Sequence, residues 1–220
     1  MAELITGLDA ARVAANLDAV RNEIADAGRD PAEVEILAAV KYVAAEELPV
    51  LAEAGIKVVG ENRAQELLRK QELHGELFTW DFIGRLQSRK VRDLVGRVRY
   101  IHSVDSESVI RRLAQHATPD TKVLVSVNVS GEESKSGVRP EELGEFIARC
   151  REEGGVEVIG LMTMPPLADD PEASRPYFAR LAELAAEHGL SELSMGTTQD
   201  FAVAASEGAT IVRIGTKLYR

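Results

Sequence analysis

Cysteine is nearly missing from this sequence: Cys150 stands alone. One thiol excludes an intramolecular disulfide and any zinc or iron–sulfur site made of several cysteines. It reads as a small helix residue in a reducing compartment. Positive charge is also scarce, with 26 Lys+Arg against 36 Asp+Glu, a formal net charge of −10 and a pI near 5.0. Nucleic acids and anionic membranes reward a basic face, so neither is expected as the main partner, although a local basic pocket remains compatible with this balance. Long apolar runs are lacking too, since none approaches the ~18 residues of a membrane span. Residues 1–30 carry Asp9, Arg12, Asp18, Arg21, Glu23 and Asp26 and hold no apolar signal-peptide core. A soluble, cytoplasmic protein is expected. No Pro/Gly/Ser linker, low-complexity tract or long charge block divides the chain, so residues 1–220 are expected to form one domain.

What is present is an ordinary globular composition, 45% hydrophobic and 28% charged over 220 residues. A domain of that length buries roughly 70% of its unfolded surface and needs no staple. Apolar, β-branched runs recur at 34–41 (VEILAAVK), 57–60, 78–84, 98–104, 122–129, 156–163, 192–195 and 210–215. Helical patterns lie between them near 44–54, 62–73, 87–95, 106–117, 140–153, 171–188 and 199–207. Eight strands joined by single helices predict a parallel sheet, and right-handed βαβ units repeated eight times close into a (β/α)8 TIM barrel. An open doubly wound sheet is the competitor. The chain reaches Arg220 soon after the eighth strand, so no eighth helix is expected there, and an extra helix over 8–27 is expected to cover the gap.

In such a barrel, chemistry sits at the C-terminal ends of strands and in the loops that follow. Lys41 ends the most apolar run. A lysine stem held in apolar surroundings can present a neutral amine, the form that attacks a carbonyl, although a strand-end lysine more often snorkels to solvent. Ser194–Met195–Gly196–Thr197–Thr198 ends the seventh run and Arg213–Ile214–Gly215–Thr216 the eighth. Glycines admit a ligand to the backbone, hydroxyls and N–H groups face an anion, and the loops after strands seven and eight are the recurrent phosphate site of these barrels. Thr198 as a helix cap and Gly215 as a turn are the plainer readings. Together the segments ask for a ligand with a phosphate at one end and a carbonyl at the other. Pyridoxal 5′-phosphate (PLP) fits, and so does a phosphosugar aldehyde held by an aldolase lysine.

Eight blocks, in order along nearly the whole chain, carry a resemblance: AAVKYV (38–43), GENRAQE (60–66), FIGRLQSRK (82–90), IHSVDS (101–106), VNVSGEESKSGV (127–138), GLMTMPP (160–166), LSMGTTQD (193–200) and VRIGTKLY (212–219). The sequence resembles the pyridoxal phosphate homeostasis protein family. The resemblance implies a fold-type-III barrel, similar to the N-terminal domain of alanine racemase, that binds PLP without known turnover. It implies a covalent aldimine on Lys41 and a phosphate held by the Met195–Gly196–x–Thr198 and Gly215–Thr216 segments. It also implies that Arg213 faces the pyridine nitrogen and that Asn62 lies close to the ring. A guanidinium has only donors, so beside that nitrogen it keeps the pyridine unprotonated and a poor electron sink. Racemisation needs a second acid/base on the opposite ring face. Tyr42 and Tyr219 are available tyrosines, but nothing places either there, and no C-terminal β domain is expected.

Three positions depart from the family pattern: Asp81 for the usual His, Arg89 for Asn and Thr197 for Met. His102 and Asp105 resemble an acid/base pair, with a hydrogen-bonded rim histidine as the plainer reading. Met162, Met164 and Met195 are expected to pack beneath the ring or in the core. Lys135 is a second lysine on the ligand side, able to take up the aldehyde during hand-over or simply to face solvent. The expected function is a monomeric carrier and buffer of PLP, not an enzyme, with PLP-dependent apo-enzymes as recipients. A weak amino-acid racemase on the same site is the alternative.

Overall fold

The computed structural model describes residues 4–132 and 135–220. Eight parallel strands form a closed barrel in sequence order: β1 (Glu35–Ala39), β2 (Val58–Glu61), β3 (Thr79–Phe82), β4 (Tyr100–Val104), β5 (Lys122–Ser126), β6 (Glu157–Met162), β7 (Glu192–Thr197) and β8 (Ile211–Ile214). Closure is made by β1 against β8, with Leu37 beside Arg213 and Ala38 beside Ile214. Every residue of β2 and β8 is buried. Strands covered on both faces have no reason to alternate, and the one charged residue in each, Glu61 and Arg213, is buried with hydrogen-bond partners.

The main core lies between the barrel and its helices, and a smaller cluster of Leu37, Val58 and Ile211, packed by Ile83 and Tyr100, fills the lumen. Gly60 faces that cluster. A Cβ there would sit 2.5 Å from a Leu37 methyl and 2.9 Å from Ile83, so only glycine leaves room for both.

Around the barrel run α1 (Ala10–Asp26), α2 (Leu48–Glu53), α3 (Ala64–His74), α4 (Val91–Leu94), α5 (Glu107–His116), α6 (Leu143–Glu152), α7 (Arg175–Glu187), α8 (Phe201–Ser206) and α9 (Thr216–Tyr219). The helix expected over 44–54 divides into a 3-10 turn at Ala45–Glu47 and α2, because Pro49 is tolerated only in a first turn. That expected over 87–95 shortens similarly, and the chain leaves it through Gly96 at φ 73°.

One expectation is corrected: a helix does follow β8. It is the single turn α9. The N-terminal helix does cover the gap beside it. Val13, Leu17, Val20 and Ile24 form its buried stripe, each contributing roughly 2 kcal/mol by leaving water. Asn16 donates from Nδ2 to the carbonyls of Leu218 and Arg220 at 3.1 and 3.0 Å, and Lys217 pairs with Glu23 at 2.8 Å. The helix α1 and the C-terminal segment are thereby joined. Cys150 is fully buried on α6, and burial pushes its thiol up to about 12. Among the described residues no helix is long and apolar enough to cross a membrane.

Candidate functional site

At the C-terminal rim, β1 stops at Ala39, and Lys41 lies in the turn beyond it instead of ending the strand. Lys41 is exposed, with its ammonium 5.0 Å from the centroid of the Tyr42 ring. The turn is anchored from below. Lys70, on α3 and 2% exposed, donates from Nζ to the Val40 carbonyl at 2.6 Å and to Glu61 Oε1 at 2.6 Å. The other Glu61 oxygen accepts the N–H of Asn62 at 2.8 Å and of Arg63 at 3.3 Å. One buried ion pair therefore fixes both the peptide before Lys41 and the loop bearing Asn62. From the other side, the Tyr219 hydroxyl donates to the Ala39 carbonyl at 3.2 Å, and burial raises that phenol above its ordinary range.

The turns after β7 and β8 meet beside the same strand end. The Thr198 hydroxyl accepts the Gly215 N–H at 3.1 Å. A Cβ on Gly215 would make only ordinary contacts, 3.9 Å to Thr198 Oγ1 and 4.0 Å to Ala39 Cβ. Among the described residues, the two flanking Gly215 aside, no atom comes closer to that position. Gly196 is different: it holds φ 87°, and a Cβ would lie 2.5 Å from Ala204 Cβ, so the approach of β7 to α8 requires glycine. Thr198 is not a helix cap. Asp200 precedes α8 and closes the turn by accepting the Thr197 N–H at 2.7 Å and the Ser174 hydroxyl at 2.9 Å. Thr216 opens α9 and is exposed.

Between these turns the mouth is polar and sealed. Arg213 is 6% exposed; Nη1 donates to the Ser194 carbonyl at 2.8 Å and hydroxyl at 2.6 Å, and Nη2 donates to the Thr163 carbonyl at 3.0 Å. Nη2 also lies 2.8 Å from Met164 Sδ. Among the described residues no carboxylate pairs with it. Burial pulls the guanidinium down to about 10, with the Asp200 carboxylate resisting from a distance.

Behind Arg213 runs a chain of buried groups. His102 lies 2.8 Å from the Ser194 hydroxyl through Nδ1 and 3.1 Å from Asp81 Oδ2 through Nε2. Arg99 grips Asp81 at 3.0 and 2.6 Å and Glu35 at 2.9 and 2.5 Å. An ionised carboxyl only accepts, so Nε2 carries the proton, Nδ1 accepts from Ser194, and Ser194 accepts from Arg213. The charges agree. Burial raises the Asp81 carboxyl, but hydrogen bonds from His102 and Arg99 outweigh it and hold it below its ordinary value. Burial pulls His102 down against the pull of Asp81, leaving the ring neutral.

A cavity of about 190 Å³ is lined by Arg85, Ser103, Asp105, Asn128, Lys135 and Met162 among others; Arg213 does not line it and reaches its wall only through Thr163 and Met164. Burial raises Asp105, and the Arg85 charge opposes it. The turns after β7 and β8, the buried Arg213 and the exposed Lys41 thus lie on the neighbouring strands β7, β8 and β1.

Residues 8–220 match the family model described as "Alanine racemase, N-terminal domain". A pyridoxal phosphate homeostasis protein of Aquifex aeolicus is 43% identical over 218 residues, covering 94% of this chain and 96% of that protein. The chain belongs to the pyridoxal phosphate homeostasis protein family. Solved structures agree. PipY of Synechococcus elongatus without PLP superposes with a TM-score of 0.83 at 30% identity, covering 94% of this chain and all of that one. The same protein with PLP bound gives 0.76 at 30% identity and the same coverage.

Set against that family's pattern, the barrel brings Thr198, Gly215 and Thr216 together beside the β1 end that leads to Lys41. None of Lys41, Asn62, Met195, Gly196, Thr198, Arg213, Gly215 and Thr216 lines the mouth cavity, which is built by the strand ends and loops of β3 to β6. Met195 is fully buried in the main core, so only its main chain can face a ligand. Asn62 is half-buried and lines a different cavity, between the loops after β2 and β3. Met162 is buried at the mouth, whereas Met164 is exposed. His102 and Asp105 do not pair: His102 is a lumen residue, not a rim one, and bonds Asp81 and Ser194. The supporting roles of Asp81, Ser194, Lys70 and Glu61 escape the sequence reading: Ser194 and Glu61 stand inside the quoted blocks without a role, Asp81 is a departure, and Lys70 is in step with Ala64 and Leu67.

Proposed function

We propose that this chain binds pyridoxal 5′-phosphate reversibly and acts as a carrier and buffer of it, without efficient turnover. Thr198, Gly215 and Thr216 would grip the phosphate, with Met195 and Gly196 shaping the turn from β7. Lys41 would hold the aldehyde end, Arg213 would face the ring nitrogen, and Asn62 would lie beside the ring. When bound, the group supplies an aldehyde that a primary amine takes up reversibly. The residues fit it on two counts. The space over Gly215 is open beside the Thr198 hydroxyl, and Arg213 is a sealed cation that lacks a carboxylate among the described residues.

Arg213 is the observation that carries the reading. A guanidinium anchored by Ser194 and Thr163 cannot give a proton to a ring nitrogen on demand, so carbanion chemistry at the ligand is poorly supported while binding is not. The name borne by the Aquifex relative and the PLP-bound PipY structure support the same reading. It requires the Lys41 amine to leave the Tyr42 ring and turn into the mouth. It also has the chain working as one domain, a monomer in the cytoplasm, with apo-enzymes receiving the cofactor.

The test is direct. Protein loaded with PLP should absorb in the visible, and borohydride should fix one adduct per chain on Lys41, located by peptide mass spectrometry. Lys41→Ala should lose both. A colourless protein that takes up no PLP, or an adduct unaffected by Lys41→Ala, overturns the reading. Rapid deuterium exchange at the α-carbon of added alanine would instead favour the racemase alternative.

A further inference from the structure

The loops after β2 and β3 border an open cleft of about 270 Å³ on the same C-terminal face, beside the Lys41 turn and away from the turns after β7 and β8. The exposed Arg63, Arg85 and Arg89 and the half-buried Lys90 line it together with the amides of Gln65 and Gln87 and with Asn62, the residue the PLP reading sets beside the ring, and no aspartate or glutamate does. Lys90 is shared with Asp93 at 3.2 Å, and Arg89 is steered by Gln87, whose Oε1 accepts from Nε at 3.1 Å. Arg63 and Arg85 form no ion pair among the described residues. In a chain of net charge −10, four cations thus converge on one cavity that holds no acid. Asp93 offsets Lys90 and Asp105 lies within reach of the Arg85 charge, but Arg63 and Arg89 have no carboxylate partner among the described residues, and an anion between like charges turns their repulsion into attraction.

The side chains suit one kind of anion. Guanidinium forks match pairs of phosphate oxygens, lysine adds a point charge, and amide N–H groups complete the shell. The volume lies just under the ~300 Å³ at which small-molecule pockets begin, enough for a phosphate with a small organic body. Position argues the same way. On the C-terminal face of a parallel barrel, a lined cavity sits where function concentrates, and Arg85 belongs to this cavity and to the mouth cavity at once. Arg89, one of the four, stands where the family resemblance leads one to expect asparagine. We infer that this cavity is a second anion site, for a small free phosphomonoester, separate from the phosphate turns of β7 and β8.

The probes are glycerol 3-phosphate, inorganic phosphate and a phosphoserine peptide, titrated by calorimetry and by arginine Nε NMR signals. Protein loaded with PLP is used, so that the turns after β7 and β8 are already filled. Glycerol 3-phosphate should bind one site per chain with saturable shifts at the cavity arginines. An Arg63→Gln/Arg89→Gln double variant should bind it at least about tenfold more weakly, with melting temperature and visible absorbance unchanged. Replacement of both by lysine should restore part of the affinity. A non-saturating response, undiminished binding by the glutamine variant, or a preference for the peptide would each overturn the site. The outcome is independent of the Lys41 reading: a colourless protein that still binds glycerol 3-phosphate through Arg63 and Arg89 would sink the carrier and uphold this site.

Discussion

Asp81 shows how much one buried side chain can organise. Fully buried on β3, it accepts from Arg99, from His102 and from the Tyr100 N–H at 3.2 Å. Removing its charge leaves Arg99 with only Glu35 and deprives His102 of its acceptor. Asp81→Asn should therefore destabilise the fold by about 3–5 kcal/mol, measured by urea unfolding at neutral pH. His102 gives a pH signature. Its folded-state value is depressed, so the unfolded chain binds the proton first, and stability present above the ordinary value of 6.5 is lost as pH falls below it. The loss approaches about 1.4 kcal/mol per pH unit. Asp81, also depressed, adds its own loss only below 3.8. Between pH 6.5 and pH 5, the unfolding free energy of a His102→Gln variant should fall less steeply than that of the natural chain; equal slopes would clear His102 of the role. In the sequence, Asp81 is visible only as a departure, and His102 points to the wrong partner, Asp105. Alternation along a strand says which side faces the lumen, but not which of eight strands will stand opposite. The partners of His102 are 21 and 92 residues away.

At the scale of elements, α3 does more than cover β2. Ala64, Leu67 and Lys70 share its buried face, and the spacing that predicts an amphipathic helix over 62–73 puts a lysine on the apolar side. The pattern gave no hint that Glu61 waits there, because the acid lies at the end of the preceding strand and only the turn of the chain aligns them. A Lys70→Met variant should lose about 3–5 kcal/mol, since Glu61 is left buried and uncompensated. Replacing Glu61 by leucine as well should recover most of that stability in thermal melts. It should not recover PLP uptake, because the Val40 carbonyl ahead of Lys41 has still lost its donor. Uptake restored along with stability would show that the pair supports the fold alone. Element edges were less legible than their order: Pro49 and Gly96 shortened two helices through backbone rules that periodicity does not register.

For the whole molecule, the order of eight strands and the covering role of α1 were legible because each βα unit repeats the same apolar run and helix. Closure followed from handedness. The final turn α9 escaped because four residues carry no periodic signal. Closure also bears on how the molecule comes apart. β8 is held by β1, the Leu218 and Arg220 carbonyls are held by Asn16 of α1, and Glu35 at the start of β1 reaches Arg99 before β4. No strand can leave without opening the barrel for all the others, and the first and last segments are bonded to each other. The one-domain reading of residues 1–220 accordingly predicts one calorimetric transition, with an enthalpy of roughly 150 kcal/mol near 60 °C at the usual ~0.7 kcal/mol per residue. The calorimetric and van't Hoff enthalpies should agree. Two resolved peaks, or a calorimetric value well above the van't Hoff one, would mean that part of the barrel melts on its own and that the closing contacts between its ends do not couple it.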